Sequence, residues 1–108
     1  MNTTEVTTFQ AQIDNLIEEA QASDINLNAK GLVVRGLNEA AWMLKQAGDR
    51  FCSVEFYTER VTEGLAQGLS VASDLDTLAS NASDAAQNMR DAEKAYRDAL
   101  TFFQAFNS

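Results

Sequence analysis

Apolar residues recur three and four positions apart along most of this chain, the spacing of helices that each bury one face. Val6, Phe9, Ile13, Leu16, Ile17 and Ala20 set the first such face. Thr7 with Gln10 fits a capping-box pattern, and Thr3 or Thr4 offers an earlier start. The polar run at 23–28 favours local side-chain bonds over helix and should end this element. Asn28 is placed to cap a second helix, with Val33, Leu37, Ala40, Leu44 and Ala47 on its buried face. Leu32, Trp42 and Met43 widen that face and predict more than one packing neighbour. Gly48 is placed to stop the helix and Asp49 to start a third, lined by Val54, Tyr57, Val61 and Leu65.

Gly64 and Gly68 mark a bend or a close helix crossing, since each weakens a helix interior by about 1 kcal/mol relative to alanine. From Ala72 the apolar spacing becomes a heptad seam: Ala72, Leu75, Ala79, Ala82, Ala86, Met89, then Tyr96, Leu100 and Phe103, interrupted at Glu93. That regularity favours one long or kinked helix over two helices broken at 80–84, where Ser83 could cap a new start. The expected fold is all-α, with three to four helices forming a bundle or an extended helical hairpin. Its C-terminal helix is long and Ala-rich, and residues 1–108 form a single domain.

Composition narrows the chemistry more than it widens it. The chain has no proline, which suits long helices. It also has no histidine, so Ser-His-Asp and Cys-His catalysis have no base. A single cysteine, Cys52, rules out an intrachain disulfide and thiolate zinc clusters; between apolar neighbours it reads as a buried structural thiol. Asp74 and Asp76 lack the glycine and terminal glutamate of a calcium loop. No catalytic residue, cofactor or metal site is expected, and the chain reads as a non-enzymatic protein.

Charge and aromatic residues supply the candidate binding features. Sixteen Asp and Glu stand against eight Lys and Arg, a net charge of −8, which disfavours direct nucleic-acid binding and suits a protein partner with a basic surface. Glu55, Glu59 and Glu63 are four apart and stack on one helical face. Asp84, Asp91 and Asp98 are seven apart and share another. Trp42 is the only tryptophan, while Phe102, Phe103 and Phe106 crowd the C-terminus, where Phe102 and Phe103 cannot both face one seam. Trp42, Phe102 and Phe106, with the three glutamates, are therefore the candidate partner contacts, to another protein or to a second copy of the chain. In an oligomer, Lys30 and Arg35 could line a pocket for an anionic small ligand.

No basic, apolar leader opens the sequence, and no segment approaches the length of a membrane span, so a cytoplasmic protein is expected. The leading functional expectation is a small acidic interaction module, for instance a phage or bacterial inhibitor acting on a basic macromolecule.

Trp42, the Ala47-Gly48-Asp49 run and Phe51 resemble the corner of the Trp-x-Gly (WXG) helical hairpins exported by type VII secretion, as does the alanine-rich stretch at 78–96. The resemblance implies a secreted helical-hairpin dimer that acts as a partner rather than an enzyme, with Trp42 at its bend and no Sec signal peptide. Two of the family's marks differ: residue 44 is leucine where the motif has glycine, and Leu100 ends the stretch where Tyr-x-x-x-Asp/Glu would fall.

Overall fold

The computed structural model describes residues 3–107 and contains three helices: α1 (Thr3–Ala22), α2 (Leu27–Ala66) and α3 (Ala72–Phe106). Among the described residues there is no strand. α2 and α3 form a long antiparallel hairpin, and α1 packs back along the first half of α2. The molecule measures 63 × 18 × 16 Å, with a radius of gyration of 18.3 Å. A compact chain of this length would have a radius near 13 Å, so this is a rod. Its length is that of α2 alone, since forty residues at 1.5 Å each span about 60 Å.

The helix boundaries follow from local chemistry. Asn26, not Asn28, caps α2: its Oδ1 accepts from the Ala29 amide at 2.8 Å. Asn26 wins because its extended backbone (φ −63°, ψ 154°) turns the side chain back over the first helical turn. The Thr7–Gln10 box does not form, because α1 has already begun at Thr3. Thr7 instead donates to the Thr3 carbonyl at 3.0 Å, and Gln10 donates to Asp14.

α2 ends in a Schellman motif. The Leu69 amide donates to the Gly64 carbonyl at 2.8 Å and the Gly68 amide to the Leu65 carbonyl at 3.2 Å. Gly68 takes the positive φ of 72° that this closure requires. Gly64 fulfils the other expectation, a close approach: a Cβ there would lie 2.6 Å from Val71 Cγ1.

Two sequence expectations are corrected. Gly48 and Asp49 do not break the chain; α2 runs through them for 40 residues. Gly48 keeps negative φ, and its missing side chain lets Val6 of α1 seat on α2, with Val6 Cγ1 3.5 Å from where a Cβ would be. The glycine signals a helix contact rather than a helix end. Residues 80–84, with Ser83, do not break α3, in line with the long helix that the spacing favours. The expected seam, however, is displaced by one residue on both sides of Met89. Ala79, Ala82 and Ala86 are exposed, while Ala85, Met89, Ala92, Ala99 and Phe103 are buried. With Ala92 on the seam, Glu93 no longer interrupts it.

The core is wholly apolar among the described residues and sits at one end of the rod. Ile13, Leu16 and Ala20 of α1, Val33, Leu37, Ala40, Leu44 and Ala47 of α2, and Met89, Ala92, Ala99 and Phe103 of α3 form it. Its alanines let the helix axes approach closely. Beyond Ala47 the hairpin continues as two helices alone, and there only Val61, Gly64, Val71 and Ala85 are buried. Two surface ion pairs, Arg50–Asp84 and Arg60–Asp74, each 3.4 Å, bridge the helices in that half.

Candidate partner-binding surfaces

Most of the sequence candidates fall on three surfaces of this rod. The first is the outer face of α2. Trp42 is 63% exposed in the middle of the helix. It stands two residues from both Ala40 and Leu44, which are fully buried, and therefore roughly 200° around the helix from the core. The expectation that Trp42 widens the buried face of its helix is thus corrected. The hairpin turns at Gln67–Val71, one helix half-length away.

The second surface is the bare distal half of α2. Glu55, Glu59 and Glu63 are all exposed there, and none of the ion pairs among the described residues uses them. Phe56, 53% exposed, is one turn from Glu59 and two turns from Glu63, so an aromatic ring borders the acidic stack, between it and Arg60. Phe56 meets Tyr57 edge-on at 5.2 Å between ring centroids, and the Arg60 guanidinium lies 5.8 Å from the Phe56 ring. Cys52 is exposed on this half, not buried as expected; Phe51, beside it, is the residue that turns inward toward the core.

The third surface lies between the start of α2 and the end of α3, and only part of it was foreseen. A groove of about 460 Å³ has Leu32, Val33, Gly36, Met43, Ala95, Ala99 and Phe102 as its floor. Glu39 rises from α2 and Asp91, Lys94 and Asp98 from α3 along its edges. Lys94 donates to Asp98 at 2.8 Å, and that hydrogen bond and charge raise the lysine pKa above its ordinary value. Leu32 and Phe102 carry the apolar surface on toward Leu27 and Phe106 at the end of the rod. Phe102 is half-buried and Phe106 is 49% exposed, their ring centroids 4.8 Å apart. α1 occupies other flanks of the same two helices: Val6 sits at Gly48, and Phe9 packs edge-on against Tyr96 at 5.4 Å. Glu39, Met43 and Asp98 were missed in the sequence as parts of one site. They lie on different helices, and only the pairing of α2 with α3 brings them together.

Lys30 and Arg35 do not converge within the chain. Lys30 Nζ donates to the Gln21 carbonyl at 3.0 Å, where a cation satisfies the C-terminal end of α1, while Arg35 is exposed. Among the described residues no three His, Cys, Asp or Glu side chains are grouped to hold a metal ion. No helix is long and apolar enough to cross a membrane. No protein-family model, curated protein or solved structure matches the chain.

Proposed function

We propose that this protein is a non-enzymatic acidic interaction module that binds a protein partner through a basic surface on that partner. The observation that carries the reading is the distal half of α2. Glu55, Glu59 and Glu63 stand exposed and outside the ion pairs, beside an exposed Phe56. Like charges stacked at this spacing cost a few tenths of a kcal/mol per pair in the free protein. A basic partner removes that repulsion, and the exposed aromatic ring beside the stack adds apolar contact area. Such a module has an inhibitory mode of action open to it, since occupying a basic surface blocks whatever else that surface binds.

The experiment is affinity capture from a lysate of the organism that encodes the chain. Wild type is compared with an E55K/E59K/E63K variant and with an E55Q/E59Q/E63Q variant. A partner retained by wild type, weakened by the glutamines and lost with the lysines is the expected result. A partner captured equally by all three proteins would overturn the assignment to this surface.

A further inference from the structure

We infer that the groove between α2 and α3 receives a basic amphipathic helix from another protein. The inference rests on the reading above for its partner class, a basic protein, and gives that class a second contact surface, separate from Glu55, Glu59 and Glu63. The floor is apolar and partly uncovered: Leu32 is 54% exposed, and Met43, Ala95 and Phe102 are half-buried. Gly36 keeps the floor low, since a Cβ there would already lie 3.3 Å from Ala99 Cβ. From Leu27 to Met43 the surface follows α2 for about 24 Å, room for roughly four helical turns. A trough of that length suits the helix-in-groove mode of recognition, read by apolar anchors on one helical face.

Charge selects the occupant. Glu39 and Asp91 stand on opposite edges, and Asp98 already holds Lys94, the one cation lining the groove. A helix with lysine or arginine on both flanks of its apolar face would meet a carboxylate on each side. A second copy of this chain would instead set these acids, and a net charge of −8, against themselves. The same hairpin already accepts a helix elsewhere: α1, 20 residues long, lays Ile13, Leu16 and Ala20 into the core beside this groove.

The test uses the full chain and a synthetic four-turn helical peptide with leucines on one face and lysines on both flanks. Its counterpart carries glutamates on the flanks. Binding is read by fluorescence anisotropy, and the site by amide chemical shifts. The basic peptide should bind saturably and shift Gly36, Ala95 and their neighbours, and the acidic peptide should not bind. The E39K/D91K variant should weaken binding by about tenfold or more, and E55K/E59K/E63K by much less. E55K/E59K/E63K changes surface charge only, whereas D91K also removes the hydrogen bond that Gln87 donates to Asp91 at 2.9 Å; circular dichroism verifies that both variants stay helical.

Three results would each overturn the groove assignment. One is absence of binding. Another is binding indifferent to E39K/D91K. A third is a wild-type dimer in light scattering that L32D or F102D converts to monomer, which would give the groove to a second copy. Binding lost only in E55K/E59K/E63K would also remove the groove while leaving the acidic-module reading intact. Failure of that broader reading shows separately, in the capture experiment.

Discussion

Glycine positions in this chain report close contacts as well as turns, and they make opposed predictions. Gly64 is buried, and an added methyl would meet the short, buried side chain of Val71 at Cγ1, 2.6 Å away. Gly64→Ala should therefore destabilise the fold by about 1–2 kcal/mol, the overpacking cost exceeding the gain in helix propensity. Gly31 has open space around its Cβ position inside α2, so Gly31→Ala should stabilise by about 0.5–1 kcal/mol. Urea denaturation of the two variants checks both signs; stabilisation by Gly64→Ala would show that the turn yields where the packing says it cannot. At this scale the sequence was partly legible. Gly64 and Gly68 were expected at a crossing or bend, and they are. Gly48 was misread because a stop glycine and a contact glycine look alike until the partner, here Val6 of α1, is known. Trp42 was misplaced for a related reason: an exposed tryptophan beside a core stripe cannot be told from a buried one by spacing alone.

At the scale of elements, the molecule has two unequal halves. Near one end three helices share a continuous apolar core, and beyond Ala47 two helices run on with small side chains and surface ion pairs between them. Exposed ion pairs of this kind contribute about 0–1 kcal/mol each, so they cannot replace the missing third layer. Amide hydrogen exchange should therefore be faster across 52–80 than across 29–47 and 89–103. Equal protection in both halves would mean the distal hairpin is held by more than the contacts described. The one-residue displacement of the α3 seam belongs to this scale as well. Where alanine occupies neighbouring positions, as at Ala85 and Ala86, apolar periodicity does not choose between two registers. Large residues fix it only where three helices pack: Met89 and Phe103 were placed correctly from their spacing and are buried, whereas Leu75, placed on the same seam, is 45% exposed. The all-helical class was legible for the same reason, since long side chains at three and four set the period throughout.

At the scale of the whole molecule, a thin rod with net charge −8 presents far more surface than a globule of its length. That geometry suits binding along a side rather than chemistry inside a cavity. The acidic stack at Glu55, Glu59 and Glu63 could be read from the sequence because one helix carries all of it. The α2–α3 groove could not, because it exists only once residues far apart in the chain, such as Gly36 and Ala99, are paired. The claim that charge drives partner binding is tested most directly by calorimetric titration of the captured, purified partner with this protein over a range of salt concentrations. The account predicts that affinity falls steeply as salt rises and that E55K/E59K/E63K is already weak at low salt. An affinity unmoved by salt and equal in the two proteins would contradict it.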